Sequence, residues 1–310
     1  MRKILFLEPV FKEVIWGGNK LANDYGYKIP SDTTGECWAV SAHKSGDCTF
    51  KNEELKGKTL SWLWDNHREV FGNAKGDIFP LLIKIIDAKK DLSIQVHPND
   101  EYAKANENGA LGKTECWYIL DCEEGATIII GHNAKSKEEL KQMIEEKRWK
   151  DLIREIPIKK GDFFQITPGT VHAIKGGTVI LETQQNSDIT YRLYDYDRLS
   201  NGKPRELHIK KSIDVIKCPY IEEKQDFKII KKDNYDEKDL VKCEFYEVKK
   251  IDIHGEETFI QNKPFEIVSV IEGKGFINDF EIKKGDHFII PFNYGEYKLK
   301  GNMELIISNI

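Results

Sequence analysis

The chain has 310 residues, of which 40% are hydrophobic and 32% charged, and its formal net charge is −5. This length allows a large apolar core and two domains, and the composition is that of an ordinary globular protein. No region gathers a strong excess of Lys and Arg, which argues against nucleic acid as a partner.

The N-terminus begins with MRKILFLEPVF, which resembles a secretory signal over only a few residues. Its apolar run from Ile4 to Leu7 is too short for a signal core, and Glu8 and Pro9 interrupt it. No stretch approaches the roughly 20 apolar residues that a membrane-spanning helix needs. We therefore expect a cytoplasmic protein with no membrane contact. In a reducing cytoplasm its six cysteines should stay free thiols, mostly buried. No two of them form a C-x-x-C pair, which argues against a zinc knuckle or a thioredoxin-like motif.

Short segments of strand character dominate the chain, and helices are few. In chain order we predict helix Leu60–Val70, strands Phe79–Asp87 and Leu92–His97, helix Asp100–Glu107, strands Glu115–Asp121 and Thr127–Gly131, helices Ser136–Ile144 and Trp149–Glu155, and strands Phe163–Ile166, His172–Ile174, Thr178–Thr183 and Ile189–Tyr194. Many short strands with few helices indicate a mainly β protein built as a sandwich or barrel.

The motif KKGD occurs at residues 159–162 and again at 283–286, each time followed by a short apolar strand and a proline. This repetition indicates two related β units. We predict a metal-binding domain with short helices over residues 1–225 and a C-terminal β domain over residues 226–310. His172 follows the first copy and no histidine takes its place after the second, so only the first domain is expected to hold a site.

Gln95 and His97 lie two residues apart at the end of a predicted strand, so their side chains point to the same face. Glu115 and His172 each open another strand, and a carboxylate there is costly to bury unpaired. Taken singly, each residue also fits an ordinary hydrogen-bonded role. Together, two imidazoles, a carboxylate and an amide match a catalytic metal site, with donors that suit Zn²⁺ but also Mn²⁺ or Fe²⁺.

Three cationic residues accompany this set. Lys113 lies two residues before Glu115, so in a strand the two side chains would point to the same face. Lys84 lies in the otherwise apolar run PLLIKIIDA, where it needs an anionic partner or an aqueous cavity. Arg192 follows Asp188 by four residues, which would place both on one face of a strand. Its planar guanidinium suits an enediolate or phosphate oxygen, although a surface ion pair with a neighbouring Asp is equally consistent.

Several separate motifs, in the right order, resemble the type I mannose-6-phosphate isomerase family in its short bacterial form. They are EPVFKEVIWGG, TGECWAVSAH, QVHPND, GKTECWYIL and TPGTVHAI. The resemblance runs from about Leu7 to Arg198, and the last third of the chain shares only the general β pattern. It implies two cupin-type jelly-roll β-barrel units with a few helices, and one Zn²⁺ ion in the first unit.

The resemblance also implies roles for individual residues. The implied metal ligands are Gln95, His97, Glu115 and His172. The catalytic arginine of the family corresponds to Arg192, and its active-site lysine corresponds to Lys113. Further candidates for substrate binding are Lys84, Asp188, Tyr194 and Asp195.

The activity implied is that of an aldose-ketose isomerase that interconverts mannose 6-phosphate and fructose 6-phosphate through a metal-stabilised cis-enediol. Its partner would be a small-molecule sugar phosphate. The chain departs from the longer family members, because GKTE replaces their His-Lys-Pro-Glu and their large helical insertion is largely absent. An Fe²⁺ cupin oxygenase, a non-catalytic sugar-phosphate-binding cupin and an isomerase of another sugar stay open as alternatives. The general base and the oligomeric state stay open as well.

Overall fold

The structure is a computed structural model that describes residues 3–200, 202–223 and 226–310. Strands contain 44% of the residues and helices 15%, so the predicted mainly β architecture is confirmed. None of the helices within these ranges is long and apolar enough to cross a membrane. The six cysteines are free, as predicted, and Cys37, Cys48 and Cys116 are buried.

The helices of the described residues are short. They are α1 (Lys20–Asn23), α2 (Leu60–Asn66), α3 (Asp100–Asn106), α4 (Lys137–Glu145), α5 (Trp149–Leu152) and α6 (Ile209–Val215), with 3₁₀ turns at Glu53–Leu55 and Arg68–Phe71. Three helices are capped by side chains, because Thr59, Asn99 and Ser136 each accept a hydrogen bond from a backbone N–H of the first turn.

The strands of the first two-thirds of the chain are β1 (Leu5–Glu8), β2 (Val10–Glu13), β3 (Thr34–Val40), β4 (Ala42–His43), β5 (Gly46–Asp47), β6 (Thr49–Phe50), β7 (Leu81–Ala88), β8 (Ile94–Val96), β9 (Glu115–Cys122), β10 (Thr127–His132), β11 (Ile153–Pro157), β12 (Phe163–Ile166), β13 (His172–Ile174), β14 (Thr178–Gln185), β15 (Tyr191–Tyr194), β16 (Leu199–Ser200) and β17 (Lys203–Pro204). The remaining strands are β18 (Ile229–Lys231), β19 (Tyr235–Lys242), β20 (Glu247–Ile253), β21 (Glu256–Gln261), β22 (Glu266–Ile277), β23 (Phe280–Lys283), β24 (His287–Ile290) and β25 (Gly295–Asn309).

Two predicted helices differ from the structure in their second halves. The predicted helix over Trp149–Glu155 is wrong after Leu152, because the chain continues as β11 and pairs with β10. The helix that begins at Leu60 ends at Asn66 and is followed by a 3₁₀ turn, so the prediction was too long. Every predicted strand is present, with its ends shifted by no more than about two residues, the usual error at an element boundary.

Two sheets face each other in the first part of the molecule. A six-stranded sheet has the order β12-β9-β14-β7-β3-β2, and a five-stranded sheet has the order β11-β10-β13-β8-β15. Ile86 and Trp117 of the first sheet share an apolar core with Ile130 of the second. The predicted alternation along β9 is confirmed, because Ile119 faces this core while Tyr118 packs on the opposite side.

The outer faces of both sheets are covered as well. Tyr118 and Ile306 belong to one core that joins the six-stranded sheet to the C-terminal sheet. On the far side, Val96 of β8 packs with Leu140 of α4 and Ile216. All eight residues of β7 are therefore buried, which explains why this strand has a nearly continuous apolar sequence.

A ten-stranded sheet forms most of the C-terminal part. Its main order is β18-β19-β20-β25-β22-β24-β1-β6, with β21 and β23 as side branches. Within the described residues, the end strands of each sheet do not pair with each other, and no closed barrel is found. The barrel-like units predicted from the sequence are thus built as packed open sheets.

The two KKGD motifs adopt the same turn. Gly161 and Gly285 have φ values of +89° and +90°, a conformation that favours glycine. In each turn the carboxylate oxygen Oδ2 of the Asp accepts a hydrogen bond of 2.9 Å from the backbone N–H of the first Lys. This shared geometry supports two related β units.

The domain boundary between residues 225 and 226 stays a prediction. The N-terminal strand β1 pairs with β24, which lies beyond that boundary. Leu5 and Ile289 are partners in this pairing. The beginning of the chain therefore contributes to the C-terminal sheet, a long-range pairing that leaves no local trace in the sequence.

Candidate metal centre and active site

The end of β8 brings Gln95 and His97 to the space between the two facing sheets. Gln95 pairs with His172 of β13 on one side and with Arg192 of β15 on the other. Pro98 follows the strand, where it cannot donate to the ladder. Cross-strand pairing therefore brings together residues that are far apart in the chain.

Glu115 approaches this group from the opposite sheet, as the fully buried first residue of β9. Its two oxygens lie 3.4 Å from Nε2 of His97 and 3.4 Å from Nε2 of His172. The two Nε2 atoms are 3.1 Å apart. One donor atom from each of the three residues lies within 4.8 Å of the others, so the structure contains a possible metal-binding triad.

The protonation of the imidazoles follows from their second nitrogens. Nδ1 of His97 lies 2.7 Å from the carbonyl oxygen of Ile189, and Nδ1 of His172 lies 2.8 Å from that of Thr170. A carbonyl oxygen only accepts hydrogen bonds, so each Nδ1 must carry the proton of its neutral ring. Each Nε2 is then unprotonated and presents a lone pair. Two lone pairs 3.1 Å apart cannot hydrogen-bond to each other. A cation between them fits this arrangement.

The electrostatic surroundings keep these groups in their ligand forms. Burial and the neighbouring charge of Lys113 lower the pKa of His97 to about 3, and burial also lowers the pKa of His172. Burial alone would raise the pKa of Glu115. The charge of Lys113 opposes this effect and is the largest cause that brings the pKa well below its usual range. The site thus holds neutral imidazoles and a carboxylate.

Gln95 completes the predicted ligand set. Its amide nitrogen lies 3.3 Å from Nε2 of His172. The nitrogen and oxygen of an amide are assigned from their surroundings, so rotation of the group would present the oxygen instead. The structure brings all four predicted ligands together, and their role as ligands stays a prediction.

Lys113 lies at the centre of a buried charge network. Its Nζ is 2.6 Å from Glu115 Oε2, 3.2 Å from His97 Nε2 and 4.0 Å from Glu182 Oε2. The indole of Trp117 donates a hydrogen bond of 3.1 Å to the other oxygen of Glu182. Glu182 was not among the residues predicted from the sequence. The sequence does contain a sign of it. Glu182 lies two residues after Ile180 in an apolar strand, so its side chain points to the same, core-facing side as that of Ile180.

Lys84 has the anionic partners that its burial requires. Its Nζ lies 3.2 Å from Glu182 and 3.9 Å from Glu36. Burial acts to lower the pKa of Lys84, but attraction by Glu182 and Glu36 is stronger and raises it. Burial and the nearby Glu115 raise the pKa of Glu182. Lys84 therefore stays charged and is neutralised locally.

Arg192 lies on β15 beside the triad and is half-buried. Its Nη1 donates a hydrogen bond of 2.8 Å to the carbonyl oxygen of Glu206. Its Nε is buried and has no hydrogen-bond partner among the described residues. Burial and the neighbouring charge of Arg205 lower its pKa. A guanidinium with spare donors therefore faces the site.

The other predicted substrate-binding residues lie elsewhere. Asp188 precedes β15 and is half exposed at 3.6 Å from His43, so it does not share a strand face with Arg192. Tyr194 stacks on Trp149 at 4.7 Å, on the helix-covered side of the sheet. Asp195 is buried and bound by arginine side chains. Their placement does not bring them into contact with the triad.

A cavity of about 170 Å³ lies beside the triad. The charged and polar residues of its lining are Glu36, Lys84, Ser93, Gln95, Lys113, Glu182, Thr190, Arg192 and Arg205. Charged groups of both signs next to a metal-type cluster can bind an anionic small molecule and move protons on it.

The buried ion pair between Lys84 and Glu182 is expected to stabilise the fold. Lys84→Met should lower the free energy of unfolding by about 3 kcal/mol, because Glu182 loses its main countercharge in a buried site. Urea unfolding of metal-free protein at neutral pH measures this. The double variant with Glu182→Gln should recover much of the loss. The exposed Lys141→Met is the matched control and should change stability little. A Lys84→Met protein as stable as wild type would contradict the prediction.

The packed sheets and the buried donors between them define the class, a cupin-type β protein with a candidate metal centre. A family model described as "Phosphomannose isomerase type I, catalytic domain" matches residues 4–125. Another, described as "Mannose-6-phosphate isomerase, cupin domain", matches residues 236–310. The predicted cupin fold is thereby confirmed.

Similar proteins match over nearly the whole chain. The chain is 54% identical to mannose-6-phosphate isomerase ManA of Bacillus subtilis, over 99% of this chain and 98% of that protein. It is 46% identical to a mannose-6-phosphate isomerase of Streptococcus mutans, over 100% and 99% of the two chains. A crystal structure of mannose 6-phosphate isomerase from Bacillus subtilis aligns with a TM-score of 0.97 at 52% identity, covering 99% of both chains. The chain belongs to the type I phosphomannose isomerase family.

Proposed function

We propose that the protein interconverts mannose 6-phosphate and fructose 6-phosphate as a Zn²⁺-dependent aldose-ketose isomerase. One observation carries the proposal. His97, Glu115 and His172 converge beside a charged cavity, in a chain 54% identical to a mannose-6-phosphate isomerase over nearly its whole length. The phosphorylated substrate and the free thiols also suit the cytoplasm.

Gln95, His97, Glu115 and His172 would hold the ion. Nitrogen and oxygen donors without thiolate suit Zn²⁺, although Mn²⁺ and Fe²⁺ accept the same donors. When bound, the ion supplies Lewis-acid stabilisation of negative charge on the sugar oxygens. The reaction needs no electron transfer, which favours Zn²⁺ over a redox metal.

The reaction moves one proton between adjacent carbons of the open-chain sugar. A base removes the proton from C2, and the electron pair forms the C1–C2 double bond while charge moves onto O1. O1 then takes up a proton while O2 loses one, and a proton returns to C1 as the C2=O2 bond of the ketose forms. Groups that stabilise the enediolate more strongly than the substrate accelerate the reaction.

The chain has its own candidates for these tasks. Arg192 has spare donors for an enediolate oxygen, and its planar fork can bind two oxygens at once. Glu182 lines the cavity, and burial and the nearby Glu115 raise its pKa, which makes it a stronger base than an exposed carboxylate. Lys113, 4.0 Å from Glu182, can stabilise charge or return a proton. Trp117 orients the Glu182 carboxylate through its indole N–H.

The alternatives fit less well. An iron oxygenase would favour a more apolar pocket, whereas this cavity is lined by Lys84, Lys113, Arg192 and Glu182. A non-catalytic sugar-phosphate binder would need neither a donor triad nor a charge network next to it. An isomerase of another aldose phosphate shares the chemistry, and the substrate test below distinguishes it.

The test is a coupled assay of the purified protein with mannose 6-phosphate, in which formation of fructose 6-phosphate is followed. Chelation and dialysis should abolish turnover, and Zn²⁺ should restore it. Other aldose phosphates, assayed in parallel, should turn over more slowly. Full activity of protein shown to be metal-free would refute the metal role. Absence of turnover by the zinc-loaded protein would refute the isomerase.

A further inference from the structure

The hairpin formed by β16 and β17 follows β15 and leads directly to Arg205. The side chain of Arg205 lines the same cavity as Arg192 and Gln95. Arg205 was not among the residues predicted from the sequence. Its place in the cavity depends on the return of the chain after the hairpin.

A buried carboxylate holds the Arg205 side chain in position. Asp195 is 3% exposed and accepts hydrogen bonds of 2.7 Å from Nε and 2.5 Å from Nη2 of Arg205. Arg198 binds the same carboxylate at 2.5 Å, and its Nη1 donates to the carbonyl oxygen of Asp91. Arg198 therefore serves the local structure. The bidentate grip fixes the plane of the Arg205 guanidinium.

The arginine end of the cavity carries more positive charge than its carboxylate neutralises. Nη1 of Arg205 makes no hydrogen bond to any described residue, and neither does the buried Nε of Arg192. Arg192, Arg198 and Arg205 lie around the carboxylate of Asp195, and Glu206, whose charge also acts on Arg192, is exposed to solvent. Spare donors with uncompensated charge at a cavity are the features of an anion site.

The opposite end of the cavity is balanced. Lys84 has Glu182 and Glu36 within 3.9 Å, and Lys113 has Glu115 at 2.6 Å. A phosphate dianion near Lys84 would meet these carboxylates. The lysine end is therefore poorly suited to the phosphate group, and the role of Lys84 in substrate binding stays a prediction.

We propose that Arg205, held by Asp195, binds the phosphate group of the substrate and so selects phosphorylated over neutral sugars. The inference rests on the proposed function and assigns that site its phosphate-recognition residue. Arg192 pairs with Gln95 on the neighbouring strand and lines the same cavity as Arg205. The phosphate would thus bind at the arginine end while C1 and C2 lie near the triad.

The experiment uses Arg205→Gln in the zinc-loaded protein. KM for mannose 6-phosphate should rise by about tenfold to a hundredfold, and kcat should change much less, because a charge-assisted contact from Nη1 is lost from substrate and transition state alike. The inhibition constant of inorganic phosphate should rise by a similar factor. Arg205→Lys keeps the charge without the planar fork and should raise KM by about threefold to tenfold. Arg148→Gln, at an exposed arginine, is the matched control and should match wild type.

The outcomes separate the two proposals. Failure of the wild-type protein to isomerise mannose 6-phosphate refutes the proposed function itself. An active wild type with an unchanged KM and phosphate inhibition constant in Arg205→Gln overturns the role of Arg205 alone. A fall in kcat at constant KM also overturns it. Thermal unfolding shows whether Arg205→Gln is folded, and Arg205→Lys decides the question if it is not.

Discussion

His172→Ala is expected to abolish metal binding and to reduce kcat by a factor on the order of 10³ while the chain stays folded. A cation at developing charge contributes several kcal/mol, and each 1.4 kcal/mol or so is a factor of ten in rate. His172 is fully buried, and its Nε2 faces both His97 and Glu115. Removing it therefore takes away one imidazole and opens the pocket. Metal content by mass spectrometry and kcat from the coupled assay give the two readouts.

A matched control separates loss of the metal from loss of a buried imidazole. His132 is also buried, but its Nε2 lies 2.9 Å from the carbonyl oxygen of Lys217 and not in the triad. His132→Ala should retain the metal even if its stability falls. Equal metal loss in both variants would mean that the effect of His172→Ala is a general weakening of the fold. A metal-loaded and active His172→Ala protein would remove His172 from the ligand set.

Arg192→Ala is expected to keep the metal and to lose turnover by about a hundredfold to a thousandfold. Removing a preorganised donor to a developing oxyanion has an effect of this size. Arg192 lines the cavity, and its Nη1 donates to the carbonyl oxygen of Glu206 while its Nη2 has no hydrogen-bond partner among the described residues, so Nη2 can donate to substrate. The fall should appear mainly in kcat, since the enediolate carries more charge than the sugar. Arg192→Lys should have a kcat close to that of Arg192→Ala, because the ammonium group of lysine lacks the planar pair of donors of a guanidinium.

Metal content distinguishes this prediction from the previous one. Arg154→Ala is a suitable control, because Arg154 forms an ion pair with the exposed Glu222 away from the cavity. Near-normal rates in Arg192→Ala would remove Arg192 from the active site. Loss of the metal in that variant would instead show that Arg192 acts through its strand partner Gln95.

Short-range patterns in the sequence predicted many local features correctly. Period-two alternation placed Gln95 with His97 and assigned the faces of β9, because adjacent side chains in any strand point to opposite sides. Capping residues marked the start of α4 at Ser136. The second half of the predicted helix at Trp149 failed, since pairing with β10 outweighed a weak local helix preference.

Other features of the site depend on contacts between distant parts of the chain. Glu182 binds Lys84 because β14 and β7 are neighbours, with these two residues directly opposite. Arg205 reaches the cavity because Asp195 holds it after the hairpin. Asp188 and Tyr194 have residue types suited to a sugar site, yet they lie away from the triad.

The sequence by itself determined the strands, the free thiols, the mainly β class and the four side chains that converge beside the cavity. These features depend on residue types, on the two-residue alternation of side chains in strands and on short motifs, all of which are local properties of the sequence. Only the tertiary structure decided which cations are already neutralised and which have spare donors. That difference arises from the register between strands and from burial, because a charge is compensated by neighbours in space rather than in sequence.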